Sequence, residues 1–170
     1  GIQYGNSDGP LAGPAEYADI VRDVFADFGG QIVFEPGRVI AGNAGVLVIR
    51  VIYVKEGVTR NFAIVDAAMN DLTRPSLYDA SHEIVPANQA DAESEMALYD
   101  VVGPICETGD TFCTERKLPR LEAGDLLVIR TAGAYGATMA SSYNTRALVP
   151  EVMVRGKDYS VIRRRLEVDD

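Results

Sequence analysis

The sequence predicts a mainly β chain: a β-barrel or sandwich over residues 45–170, preceded over residues 1–44 by the tail of an α/β barrel. Three observations lead there. Apolar, β-branched runs of strand length recur from Val46 to Arg164, with Gly, Pro and Asn between them. Apolar residues recur at helical spacing from Tyr17 to Phe28. A short apolar run, Gln31–Glu35, follows that helical stretch directly, the order of a β/α unit.

The elements follow in order. Residues 1–13 are rich in Gly, Pro, Asn and Asp and read as a loop. Pro14 suits the first turn of a helix, and Glu16 and Asp19 sit near the positive end of its dipole. Tyr17, Ile20, Val21, Val24, Phe25 and Phe28 give the helix an apolar face, and Gly29-Gly30 stops it. Gln31-Ile32-Val33-Phe34-Glu35 is a predicted strand that ends at Glu35-Pro36-Gly37-Arg38. Such strand ends often face a site. Val46–Lys55 and Asn61–Asp66 are strands with a turn at Glu56-Gly57. Further strands are predicted at Ser81–Val85, Tyr99–Ile105, Asp125–Thr131, Pro150–Val154 and Tyr159–Arg164, the last two turned by Gly156-Lys157. Ala137–Asn144 is small and polar and predicts a short helix, while residues 87–97 read as an acidic surface insertion. The α/β piece alone cannot bury its faces. It needs further barrel residues, a partner chain or the β domain.

Composition narrows the function. A hydrophobic content of 47% supports a packed core rather than disorder. A net charge of −9 argues against nucleic acid or an anionic membrane as partner, because phosphate binding depends on Lys and Arg. No apolar run reaches the roughly 18 residues a membrane span needs. With His82 alone, a His-based metal site or a Ser-His-Asp triad is not expected. Cys106 and Cys113 read as reduced thiols of a cytoplasmic protein. Gly1-Ile2-Gln3-Tyr4 has neither an initiator Met nor the look of a signal peptide, so the chain is expected to be part of a longer protein.

Four segments carry candidate chemistry, each with a plain structural reading beside it. Glu35-Pro36-Gly37-Arg38 sets a carboxylate and a guanidinium at a strand end, with a Gly that lets backbone approach an anion; a surface ion pair is the alternative. Arg74 and Tyr78 lie in an irregular loop and make a reasonable carboxylate clamp, or simply pack it. Cys106 and Glu107 follow an apolar strand; the thiol is a proton donor or a small buried hydrophobe, and the carboxylate suits an ammonium. Tyr135 stands among Gly133 and Gly136, which either expose its ring to a ligand or make a tight turn. His82, Cys113 and Arg163-Arg164-Arg165 read as structural or solvated.

Taken together, EPGR, DAAMNDLTRPSLYDA, VVGPICETGD and LEAGDLLVIRTAGAYGATMASSYN resemble, in order and spacing, the diaminopimelate decarboxylases of the alanine-racemase-like, fold-type III class that uses pyridoxal 5'-phosphate (PLP). The resemblance runs from about Gly1 to Arg165 and implies a PLP-binding (β/α)8 barrel with a C-terminal β domain, of which the last barrel unit and the β domain are present. It implies that Glu35 faces the pyridine nitrogen and that Pro36, Gly37 and Arg38 form the phosphate-side loop, Arg38 also reaching substrate. Arg74 and Tyr78 then match the clamp on the distal carboxylate of meso-diaminopimelate, Glu107 the reader of its distal ammonium, Cys106 the proton donor after CO2 departs, and Tyr135 a contact to phosphate and substrate. It also implies a homodimer in which Cys106 and Glu107 enter the opposite subunit's site.

Lys55, Lys117 and Lys157 match no Schiff-base lysine of that family, so the chain alone is expected to be inactive and to bind PLP weakly or not at all. Two alternatives stand beside this reading. One is an ornithine, arginine or carboxynorspermidine decarboxylase on the same fold, against which the Cys106-Glu107 pair and the Arg74/Tyr78 clamp speak. The other is a non-catalytic dimerisation or regulatory module.

Overall fold

The computed structural model describes residues 13–88 and 94–166. Residues 1–12 of the predicted 1–13 loop and the middle of the acidic insertion lie outside the described residues.

Helix α1 spans Pro14–Val24. Pro14 occupies its first turn as expected, and the Gly13 N–H donates to Glu16 Oε2 at 2.8 Å, a cap on the helix start. The helix ends four residues before the predicted stop at Phe28. The Phe28 N–H instead closes a turn on the Phe25 carbonyl at 3.0 Å, and the two rings meet edge to face at 5.9 Å. None of the helix residues is buried, so only local propensity supports its last turn.

The strand predicted at Gln31–Glu35 does not form. These residues are irregular and every one is exposed. A strand exists through hydrogen bonds to a neighbouring strand, and among the described residues none lies beside this one. The chain continues into a four-residue helix α2 (Arg38–Ala41) and a 3-10 turn over Gly42–Ala44.

The predicted β region is a sheet. Its strands are β1 (Leu47–Lys55), β2 (Asn61–Val65), β3 (Ile84–Pro86), β4 (Met96–Val102), β5 (Thr111–Pro119) and β6 (Leu126–Ile129), with helix α3 (Arg74–Tyr78) between β2 and β3. The order is β3-β6-β1-β2-β4-β5. Every pair is antiparallel except β2–β4. The edge strands β3 and β5 approach one another, and Arg116 Nη2 on β5 donates to the His82 carbonyl just before β3 at 3.2 Å, so the sheet is a nearly closed barrel. Strand β5 has no counterpart among the predicted strands. Its centre, Glu115-Arg116-Lys117, is polar and breaks the alternation, while Phe112 and Leu118 at its ends are buried.

Alternation fills the core. Ile49 and Val51, Ala63 and Val65, Tyr99 and Val101, and Leu127 and Ile129 point inward at spacing two, all at 3% exposure or less. The Tyr99 hydroxyl accepts the Leu121 N–H at 3.1 Å, which satisfies both buried groups. Where β4 and β5 slip register, Glu115 takes a left-handed φ of 51°. Buried Asp100 holds that bulge, accepting the Glu115 N–H at 2.8 Å and Arg60 Nη1 at 3.1 Å.

Strands β7 (Glu151–Arg155) and β8 (Asp158–Arg163) form a separate hairpin, turned at Gly156 with φ 62° as expected. Its Met153, Val154, Tyr159 and Val161 are exposed. The helix predicted at Ala137–Asn144 is instead two 3-10 turns, Ala137–Met139 and Tyr143–Thr145; Asn144 at φ 56° breaks the helical path. Among the described residues no helix is long and apolar enough to cross a membrane.

Candidate functional site

Two glycines fix the relation of the helical segment to the barrel. A Cβ on Gly133 would stand 2.1 Å from the Ala41 carbonyl oxygen, and one on Gly45 would stand 2.6 Å from the Gly133 Cα. The bare backbones therefore meet, joined by Gly133 N–H to the Gly42 carbonyl at 3.0 Å and Ala132 N–H to the Gly45 carbonyl at 2.9 Å. This contact brings the 132–136 turn, with Tyr135, beside the 35–38 loop. Tyr135 is held at φ 61°, a left-handed conformation that costs a non-Gly residue energy. Such strain is the sort found at ligand-facing positions.

Glu35, Pro36, Gly37, Arg38 and Tyr135 all line one cleft of about 710 Å³. Tyr17 and Phe34 form its apolar part, their rings edge to face at 6.1 Å. Tyr135 also meets the second predicted group. The Arg74 guanidinium carbon lies 5.2 Å from the Tyr78 ring centroid and 5.4 Å from that of Tyr135. Arg74 thus sits between two phenols, one of them in the cleft wall. Helix α3, which carries Arg74 and Tyr78, has Pro75 in its first turn, a start signal inside what reads as a loop.

Cys106 and Glu107 occupy the 103–110 loop, and both are exposed. The Tyr143 hydroxyl donates to Glu107 Oε1. Gly109 touches α3, where a Cβ would lie 2.7 Å from Ser76 Oγ. Cys106 is a free thiol. Cys113, the other free cysteine, faces Val101 across β4–β5, and burial pushes its thiol pKa up, as fits a structural residue. His82 is buried, its Nδ1 3.0 Å from the Arg130 carbonyl; burial lowers its pKa, the Arg130 hydrogen bond opposes that, and Arg74 adds to it. No cluster of metal-ligating side chains occurs among the described residues.

Sequence reasoning missed the groups that hold these loops. Asp71 is buried, accepts the Ala68 N–H at 2.9 Å, and meets Arg146 Nη2 at 3.5 Å. Burial raises its pKa against the pull of the Ala68 amide and Arg146. Asn70 and Ser141 pair through Asn70 Nδ2 to the Ser141 carbonyl at 2.9 Å and Ser141 N–H to the Asn70 carbonyl at 3.0 Å. Buried Asp110 accepts the Met69 and Ile105 N–H groups, and burial raises its pKa against both. Asn70, Asp71 and Asp110 all lie inside segments that carry the family resemblance, which is the signal that could have found them.

The described residues thus form a nearly closed sheet barrel, joined through a glycine contact to a helical segment that bears a charged cleft. The chain belongs to the family described as pyridoxal-dependent decarboxylase, C-terminal sheet domain, which matches residues 17–133. It is similar to the diaminopimelate decarboxylase of Zymomonas mobilis, 47% identical over 170 residues, which covers 100% of this chain and 40% of that protein. The Vibrio cholerae diaminopimelate decarboxylase is 49% identical over 156 residues, 91% of this chain and 37% of that protein. Among solved structures, the Helicobacter pylori diaminopimelate decarboxylase complexed with L-lysine superposes with a TM-score of 0.85 at 39% identity, covering 95% of this chain and 39% of that one. The chain thus spans about 40% of the length of the relatives it matches.

PLP is the cofactor of this family. The cleft fits its chemistry. It gathers one carboxylate, Glu35, one guanidinium, Arg38, and one phenol, Tyr135, groups of the kinds that pair with a pyridinium nitrogen and a phosphate.

Proposed function

We propose that the full-length protein decarboxylates meso-2,6-diaminopimelate to L-lysine and CO2 as a cytoplasmic homodimer with shared active sites. The observation that carries this reading is the position of Arg74 between the Tyr78 and Tyr135 rings, with Tyr135 also in the wall of the Glu35–Arg38 cleft. A cofactor cleft and a carboxylate clamp then share one residue. The names of the relatives and the Arg74/Tyr78 pair together favour a substrate with a second carboxylate.

When bound, PLP supplies an electron sink for the pair released as the carbon–carboxylate bond breaks. Glu35 keeps the ring nitrogen protonated, and Pro36, Gly37 and Arg38 receive the phosphate, with Tyr135. Arg74 and the Tyr78 hydroxyl hold the distal carboxylate, and Arg38 reaches the substrate. Glu107, steadied by the Tyr143 hydroxyl, pairs with the distal ammonium in the opposite subunit's site. Cys106 Sγ gives its proton to the carbon that lost CO2 and regains one from solvent, to which it is exposed. A substrate lacking either distal charge leaves its partner unpaired, which weakens its binding. We further read residues 1–44 as a unit of the cofactor-binding barrel and residues 45–170 as the C-terminal β domain.

The test compares turnover of meso-diaminopimelate and ornithine by the full-length enzyme. Diaminopimelate is expected to react at least about a hundredfold more efficiently, and Arg74→Ala is expected to erase most of that preference. Equal turnover of the two substrates, or an Arg74→Ala enzyme that keeps the full preference for diaminopimelate, defeats the reading. The 170-residue chain by itself is expected to form no borohydride-reducible PLP adduct, which absorbance and intact mass check.

A further inference from the structure

We propose that Asp110 is a positioning residue: it clamps the loop that carries Cys106 and Glu107 to the turn that leads into α3, and so sets where thiol and carboxylate are presented. The role assigned to those side chains rests on the decarboxylase reading; the clamp itself does not.

The geometry is specific. Asp110 is 2% exposed. Its Oδ1 accepts the Met69 N–H at 2.6 Å and its Oδ2 accepts the Ile105 N–H at 2.7 Å. The two donors belong to different loops: Ile105 adjoins Cys106, and Met69 lies in the turn before α3. The Asp110 backbone closes the same loop, its N–H donating to the Glu107 carbonyl at 3.0 Å and its carbonyl accepting the Gly103 N–H at 2.9 Å. The Glu107 N–H donates to the Ile105 carbonyl at 2.8 Å. Glu107 is therefore held at both its N–H and its carbonyl within the ring that Asp110 completes. Gly103 leaves the room this needs, since a Cβ there would stand 2.3 Å from the carboxylate. On the other flank Gly109 lies against Ser76 of α3.

Two acceptor oxygens for two N–H donors is a demand only a carboxylate meets. Asparagine offers one acceptor and one amide, which must turn its own N–H against a backbone N–H. Buried Asp100 differs: its backbone donor is on the adjacent strand of the sheet, so it steadies a bulge and orients no exposed chemistry.

The experiment uses Asp110→Asn and, as a second perturbation from the opposite side, Gly103→Ala. In the 170-residue chain, iodoacetamide labelling of Cys106, followed by peptide mapping, is expected to change at least about fivefold, with Cys113 unchanged. Amide exchange at Met69 and Ile105 is expected to quicken about tenfold or more, the equivalent of losing one hydrogen bond, while Val65 and Val101 keep their protection. In the full-length enzyme, KM for diaminopimelate rises and kcat falls, each about tenfold, at a temperature where the variant is fully folded; PLP affinity stays as in wild type. Unchanged Cys106 labelling and exchange in both variants overturns the proposal, as does a uniform loss of protection across the barrel. If Asp110→Asn does not fold, Gly103→Ala decides alone. Should the wild-type enzyme fail to turn over diaminopimelate, the decarboxylase reading falls while labelling and exchange still judge the clamp.

Discussion

Residues 14–41 and the barrel strands are written in the same alphabet of Val, Ile, Phe and Tyr, yet they end in opposite places. Along the first stretch Tyr17 is 55% exposed, Val24 70% and Val33 74%; in the barrel Ala63, Val65, Leu127 and Ile129 are all at 0%. The helix forms in both senses of sequence and structure because its hydrogen bonds are internal. The strand at 31–35 does not, because its bonds need another strand. Apolar periodicity thus announces what a segment is prepared to bury, and only the rest of the fold decides whether it does.

Mutations test that contrast directly. Leu127→Ala is expected to cost about 2–5 kcal/mol in urea unfolding, through lost burial and a cavity. Ile20→Ala, on the exposed face of α1, is expected to cost about 0.5 kcal/mol or less. Comparable losses for the two would mean that the α1 face is buried in solution. A smaller effect separates two members of one ion pair. Asp100→Ala is expected to cost about 1–3 kcal/mol, since it strands the Glu115 N–H at the bulge. Removing its partner by Arg60→Ala, where the side chain is 55% exposed, is expected to cost under about 1 kcal/mol. Identical melting temperatures for these two variants would argue that the bulge draws nothing from Asp100.

The smallest effect is expected from pH. Burial lowers the His82 pKa in the folded barrel below the ordinary value of about 6.5. The unfolded chain therefore takes up the proton first, so the contribution of neutral His82 is present above pH ~6.5 and fades as pH falls through that value toward the folded pKa. Thermal melts from pH 8 to pH 5 are expected to show this loss, and a His82→Gln variant is expected to show less of it.

Legibility in the sequence followed the range of the interactions. Strands β1, β2 and β6 could be read from their runs of apolar, β-branched residues, and the start of α1 from Pro14 and Glu16, because neighbouring residues settle both. Strand β5 could not: its left-handed Glu115 and the Asp100 carboxylate beneath it depend on a partner strand. The candidate residues were legible as a set through motif order, and the structure gathers Glu35, Arg38 and Tyr135 on one cleft and Arg74 against Tyr78 and Tyr135. What stayed hidden was the scaffold beneath them. Asp110 binds Met69 across 41 positions and Asn70 binds Ser141 across 71, and no local pattern encodes a bond of that span.

The bare crossing of Gly45 and Gly133 has a consequence for engineering. Those two positions act as a spacer of zero thickness between the cleft's floor and the barrel. A methyl group added at either one must push backbone apart there, so it is expected to act on the cleft through the spacing of its two walls and not through a change of side chain within it.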